Sequence, residues 1–135
     1  MERKIFTTTE AKQHSPLTLA FLGDAVYEIM VRARLVSAGD MPVKKLHTNA
    51  VAKVKATFQA EVAKQAENIL NEDEADILRR GRNASTATVP KGASTAQYHL
   101  ATGLEALCGY LYLTGNDKKL NEIIDIAWNL ENSST

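Results

Sequence analysis

Apolar residues recur at helical spacing in nearly every segment of this chain, and the pattern predicts an all-α fold. The first long helix is predicted over residues 16–37. Ser15 has the side chain of an N-terminal cap, and Pro16 suits the first helical position because its missing N–H has no helical partner there. Gly39 marks the end of this helix.

Capping patterns and stop signals divide the rest of the chain. Asn71–Glu74 and Ser94–Gln97 have the spacing of capping boxes, in which two side chains satisfy each other's backbone N–H groups. Gly81 is expected to end the first of these two helices, and residues 82–93 are expected to form a long polar loop. Four further helices are therefore predicted: 42–68 with a candidate break near Thr48–Asn49, 71–80, 94–113 and 117–130.

The composition is that of one globular domain, with 135 residues, 44% hydrophobic and 24% charged. The single cysteine, Cys108, excludes a disulfide framework and fits a packing role in the reducing cytoplasm, which is the expected location. No apolar segment reaches the roughly 18 residues of a membrane span, and no signal-peptide core is present at the amino terminus. The sequence also lacks a phosphate-binding loop, a dinucleotide fingerprint and a zinc-type cluster.

The formal net charge is zero, but the charges are unevenly distributed along the chain. Residues 44–64 contain five lysines and one acid, and residues 77–104 contain four basic residues and no acid. A neutral chain with this distribution can present one basic face to a polyanion. Lysines that only solvate helix surfaces explain the same distribution, so charge alone leaves both interpretations open.

Asp24 and Glu105 each stand alone in an apolar helical run. Half-buried acids need a partner, and a hard divalent cation shared by both would turn them into a reactive site if their helices pack side by side. Two structural alternatives remain open at this point. Asp24 could cap a helix that starts at Ala25, and Glu105 could form an ion pair with Arg32 or Arg34.

Two motifs resemble a known family. Residues 21–26, Phe-Leu-Gly-Asp-Ala-Val, resemble the core of the ribonuclease III signature, and residues 104–111, Leu-Glu-Ala-Leu-Cys-Gly-Tyr-Leu, resemble its second motif, an acid followed by Ala-Leu-x-Gly. Two motifs in the right order are more specific than either alone. In length, and in residues 79–84, Arg-Arg-Gly-Arg-Asn-Ala, the chain is similar to the short bacterial form of the family, Mini-ribonuclease III.

The resemblance implies a fold and a domain organisation. We expect a helical bundle like the ribonuclease III catalytic domain over residues 15–131, preceded by an N-terminal extension over residues 1–14. No double-stranded-RNA-binding domain is expected.

The resemblance also implies an activity, the hydrolysis of double-stranded RNA to 5′-phosphate and 3′-hydroxyl ends. Asp24 and Glu105 match the catalytic positions and would hold Mg²⁺, with Mn²⁺ as a substitute. Classical members carry further acids where this chain has Leu17, Ala20 and Thr102. The number of metal ions per site therefore stays open.

Partners follow from the same resemblance. The family forms homodimers, and Phe21 and Leu22 would lie near the two-fold interface. Duplex RNA is recognised mainly through phosphates and 2′-hydroxyls, so basic side chains are the expected contacts. The predicted RNA-binding residues are Arg79, Arg82, Asn83 and Lys91, with Lys44, Lys45, Lys53 and Lys55 as weaker candidates and Arg80 expected to face acids of its own helix.

The implied natural substrate is the precursor of large-subunit (23S) ribosomal RNA, with the pre-ribosomal large subunit as a partner and no membrane association. Because this chain has fewer acids at these positions than classical members, an alternative is a catalytically weak domain of the same fold that binds structured RNA during ribosome assembly.

Overall fold

The computed structural model describes residues 2–84 and 92–133, with side chains described up to residue 130. These residues form helices and one 3₁₀ turn, and they contain no strand, which confirms the predicted all-α class. The helices are α1 (Thr8–Lys12), α2 (Pro16–Ser37), α3 (Val43–Val54), α4 (Ala56–Ala66), α5 (Glu72–Ala84), α6 (Thr95–Leu113) and α7 (Asp117–Ser133), and the 3₁₀ turn is Glu67–Ile69.

Helix α6 lies at the centre of the bundle. Its residues 101–111 are buried, apart from the half-buried Glu105, because α2, α4 and α5 pack around it and α7 adds a further contact. Leu104, Leu107 and Leu111 form one apolar stripe of this helix and are completely buried. Burial of such a stripe is the main source of stability for a helix of this kind.

The predicted caps are present. The Ser15 hydroxyl accepts a hydrogen bond from the Thr18 N–H at 3.1 Å, so α2 begins where the sequence indicates. Asn71 and Glu74 exchange side-chain to backbone hydrogen bonds of 2.8 and 2.9 Å, as a capping box requires. Ser94 and its partner three residues later form a second capping box at the start of α6.

Two predicted boundaries are wrong. The segment 42–68 breaks at Lys55, whose ψ of 143° is extended, and not near Thr48–Asn49. Gly81 does not end α5, which continues to Ala84. A Cβ atom on Gly81 would lie 2.7 Å from the Cβ of Ala106, so this glycine serves close packing against α6. The remainder of the predicted loop, residues 85–91, lies outside the described residues.

Residues 2–14, predicted as an N-terminal extension, pack onto the bundle. The Phe6 N–H donates a hydrogen bond to the Leu113 carbonyl at 2.7 Å, Ala11 is completely buried, and Lys12 forms an ion pair with Asp73. This segment therefore ties the end of α6 to the start of α5. None of the helices within the described ranges is long and apolar enough to cross a membrane.

The crossing of α2 and α6 is closer than side chains would permit. A Cβ atom on Gly23 would lie 1.5 Å from the carbonyl oxygen of Glu105, and one on Gly109 would lie 2.1 Å from the carbonyl oxygen of Leu19. The two helices therefore meet backbone to backbone, which only glycine allows.

This crossing predicts the effect of Gly23→Ala. Helix propensity alone would favour alanine by about 1 kcal/mol. Because the new methyl group would overlap the Glu105 carbonyl, we expect instead that the free energy of unfolding falls by about 3 kcal/mol. Urea denaturation measures the change, with Ala33→Gly at an exposed position of α2 as the propensity control. Unchanged or increased stability of Gly23→Ala would contradict the close crossing.

Candidate active site

Asp24 and Glu105 face each other where α2 crosses α6. Asp24 follows Gly23 directly, and the backbone of Glu105 lies against Gly23. The Asp24 side chain is exposed, the Glu105 side chain is half-buried, and the two carboxyl groups lie close enough for each to affect the ionisation of the other. The predicted convergence of these acids is therefore present, and main-chain packing brings their backbone positions together.

The pair carries an electrostatic conflict. The pKa of Glu105 is raised to about 8. Burial of its side chain is the largest cause, and the charge of Asp24 and a hydrogen bond with it are the next. Two adjacent carboxylates cannot both ionise cheaply without a cation between them. Carboxylate oxygens are the donors that Mg²⁺ and Mn²⁺ prefer, so the residues present fit a divalent cation.

The two structural alternatives are wrong. Asp24 lies inside α2 and does not cap a helix at Ala25. Arg32 forms an ion pair with Glu28 at 3.2 Å, and Arg34 forms one with Asp125 at 2.7 Å. Neither arginine is therefore the partner of Glu105, and the site acids have no counter-charge from these side chains.

The neighbouring side chains add no further ligand of the usual kind. Ala20, one turn before Asp24, is buried, and Thr102, one turn before Glu105, is buried with its hydroxyl donating to the Tyr98 carbonyl at 3.1 Å. Across the described residues, no group of three or more His, Cys, Asp or Glu side chains is placed to hold a metal ion. Among the residues that the structure describes, the acids of the site are this pair.

Cys108 lies one turn after Glu105 and is completely enclosed. Burial, and the nearby charge of Glu105, raise the pKa of its thiol to about 12. A thiol with such a pKa is not a nucleophile at neutral pH, so Cys108 packs the core, as predicted.

The predicted RNA-binding residues that fall within the described residues collect at the end of α5. Arg79 is exposed and forms an ion pair with Asp76, so Arg79, and not Arg80, faces an acid of its own helix. Arg82 is half-buried, and Asn83 is exposed. Lys91 lies outside the described residues.

A groove of about 640 Å³ runs beside these side chains. Lys12 lines it together with Arg79 and Arg82. Sequence reasoning missed Lys12, because only tertiary packing brings α1 next to α5 and no local signal reveals that contact.

The weaker lysine candidates separate into two groups. Lys44, Lys45 and Lys55 are exposed and available to a partner. Lys53 is only 2% exposed, and its Nζ lies 4.7 Å from the ring centroid of Trp128. The prediction for Lys53 is therefore wrong, because a cation–π contact and burial place this side chain inside the bundle.

The two predicted interface residues differ in exposure. Phe21 is 84% exposed on α2, whereas Leu22 is partly buried against the core of its own bundle. A contiguous exposed apolar patch marks a contact surface, whereas a single exposed ring is ordinary. Leu17, Ile29 and Val36 are further exposed apolar residues of the same helix.

Comparison with known proteins agrees with this geometry. Residues 17–116 match the Ribonuclease III domain family. The chain belongs to the ribonuclease III family. The match includes both site acids, and members of this family are endoribonucleases, so the chain is an endoribonuclease that acts on RNA.

Several relatives indicate that the chain belongs to the short form of this family. The chain is 48% identical to Mini-ribonuclease 3 of Thermoanaerobacter sp. over 113 residues, covering 84% of this chain and 80% of that protein. It is 42% identical to Mini-ribonuclease 3 of Clostridium tetani over 131 residues, covering 96% and 87%. A crystal structure of a Fusobacterium nucleatum protein aligns with a TM-score of 0.77 and 36% identity, covering 83% of this chain and 91% of that chain.

The raised pKa of Glu105 predicts how the metal-free protein responds to pH. The folded state retains a proton between about pH 4.5 and 8 that the unfolded state releases, so the free energy of unfolding falls as pH rises through this window. The slope is at most about 1.4 kcal/mol per pH unit. We expect Glu105→Gln to remove this component, so that the variant is more stable than the parent at pH 8.5 and similar to it near pH 4.5.

Thermal unfolding in EDTA across this range measures the difference. Glu28→Gln is the control, because Glu28 is outward-facing and already paired with Arg32. Parallel stability curves for Glu105→Gln and the parent would contradict the electrostatic conflict in the site.

Proposed function

We propose that this endoribonuclease cleaves double-stranded RNA in a metal-dependent reaction, with Asp24 and Glu105 as catalytic residues. The observation that carries the proposal is the pair itself, two facing carboxylates of which one is half-buried and hard to ionise alone. Asp24 and Glu105 would hold Mg²⁺, or Mn²⁺ in its place. A divalent ion held in this way would supply an activated water and a positive charge for the phosphate. Attack of the water on phosphorus, with the bond to the 3′ oxygen broken, would leave 5′-phosphate and 3′-hydroxyl ends.

The two acids contribute differently to such a site. Asp24 is open to solvent and can meet a phosphate group directly. The main chain of Glu105 is held by the backbone contact with Gly23, so the fold fixes the point from which its side chain projects. Fixed oxygen donors reduce the rearrangement needed when substrate arrives.

The proposed partners are duplex RNA and a second copy of the chain. Arg79, Arg82 and Asn83 at the end of α5, with Lys91, would contact phosphates and 2′-hydroxyls. Phe21 would pack against the partner protomer across a two-fold axis, which matches the approximate dyads of duplex RNA.

The natural role that we propose is the maturation of 23S ribosomal RNA precursor in the cytoplasm, with the pre-ribosomal large subunit as the larger partner. The similarity to Mini-ribonuclease 3 proteins supports the ribonuclease part of this role. A second candidate function keeps the fold with weak catalysis, so that the domain mainly binds structured RNA. The observation that favours it is the acid set of two in the described part of the site.

Asp24→Asn tests the catalytic proposal. Loss of one carboxylate removes half of the cation site, and we expect cleavage of a perfect RNA duplex in Mg²⁺ to fall by at least about 1,000-fold. The fold and duplex binding should persist. Addition of EDTA to the parent should give the same loss, and Mg²⁺ should reverse it.

The control is Glu28→Gln, one turn further along α2 and paired with Arg32, which should cleave at close to the parental rate. A parent protein that binds the duplex in Mg²⁺ without cutting it would favour the second candidate function. Full activity of Asp24→Asn would refute the assignment of the site.

Phe21→Glu tests the homodimer. A two-fold interface carries each substitution twice, so burying two carboxylates should weaken association by at least about 100-fold. Sedimentation velocity at micromolar concentration should show a dimer for the parent and a monomer for Phe21→Glu, with equal helix content by circular dichroism. Gln65→Glu, which adds the same charge to an exposed position of α4, should remain dimeric. A monomeric parent would contradict the proposed assembly.

A further inference from the structure

The groove beside α5 brings cations and acids together along one helix. Three basic side chains line it, those of Lys12, Arg79 and Arg82. Two of these cations already have partners on α5, because Lys12 forms an ion pair with Asp73 and Arg79 forms one with Asp76. The acidic side chains in the lining are Glu67, Glu72, Asp73 and Asp76.

Arg79 and Arg82 share a face of α5 but differ in their electrostatic state. They are three residues apart, so they lie next to each other on the helix surface. The Arg79 guanidinium contacts Asp76, also three residues away, and both side chains remain partly exposed. Arg82 makes no ion pair within the described part of the chain. One arginine is thus partly neutralised, and its neighbour is not.

This difference changes what a phosphate group gains at each arginine. RNA carries condensed counterions, and each phosphate neutralised by a free cation releases part of that atmosphere. At Arg79 the phosphate must first replace a carboxylate, which then remains beside the phosphate as a like charge. The exchange therefore yields less binding free energy at Arg79 than direct contact yields at Arg82.

We propose that Asp76 limits the RNA affinity of this enzyme by occupying Arg79 in the RNA-free protein. The inference rests on the proposed function, in which the end of α5 contacts duplex RNA. Dense duplex phosphates replace the carboxylate, whereas a short or isolated phosphate competes with it poorly. Asp76 thus lowers the contribution of Arg79 to the binding of duplex phosphates.

A double-mutant cycle tests the proposal. Binding of a fluorescent RNA duplex is measured in EDTA, where cleavage is absent, over a series of salt concentrations. The variants are Asp76→Asn, Arg79→Ala, their combination, Arg82→Ala and the control Glu72→Gln, which removes an equal charge from the same groove one turn away.

Asp76→Asn should tighten binding about two- to fivefold at low salt, the range that surface ion pairs span. It should also steepen the log–log salt dependence by up to about 0.7 to 0.9, because one more cation becomes available for a phosphate. Both effects should disappear when Arg79 is alanine. Arg79→Ala alone should cost less affinity than Arg82→Ala, and it should cost more in the Asp76→Asn protein than in the parent.

Three results would overturn the proposal: no tightening in Asp76→Asn, equal tightening in Glu72→Gln, or tightening that persists without Arg79. These outcomes all leave a parent protein that binds the duplex. A parent with no affinity for duplex RNA would refute the proposed function itself, and with it this inference, so the two failures are distinguishable.

Discussion

The site depends on one backbone contact, the crossing of α2 and α6 at Gly23 and Gly109. At both glycines the opposing carbonyl oxygen occupies the position that a Cβ atom would take. Side-chain packing usually holds helices about 8–10 Å apart, and glycine on both helices removes that spacer. Asp24 and Glu105 are each fixed to this contact, one by following Gly23 and the other through its own carbonyl. The separation of the two backbone positions that carry the acids is therefore set by the main chain.

The same crossing explains the unequal surroundings of the two carboxyl groups. Glu105 lies on the central helix, so it is shielded by elements packed around α6 and its pKa rises. Asp24 lies on α2, which packs against the central helix, and its side chain is exposed. A divalent cation between them would have one shielded ligand and one open to water and substrate. Because no third His, Cys, Asp or Glu within the described residues joins them, the proposed cation site would rest on these two groups.

Features that depend on residues close in the sequence were predictable, and features that depend on packing were not. The caps at Ser15 and at the start of α6 involve groups three residues apart, so the sequence contains the whole interaction. A glycine such as Gly81 can either end a helix or allow close packing against another helix, and only the position of α6 shows that Gly81 does the second. The sequence alone suggests that Lys53 is exposed to solvent, and only the tertiary structure shows that its Nζ lies over the ring of Trp128. The pairing of the two acids was predicted from the family resemblance, since periodicity alone left capping and ion pairing open.

Helix α6 has backbone contacts on two sides, with α2 at Gly109 and with α5 through Gly81 and Gly103. Side chains between two helices can change rotamer when one helix shifts, whereas main chains in direct contact cannot adjust in this way. The basic end of α5 and the carboxylates are thus joined through three helices that act as one stiff body. If RNA binds at the end of α5, the distance between that contact and the phosphate that reaches Asp24 and Glu105 would be set by the packing of these three helices.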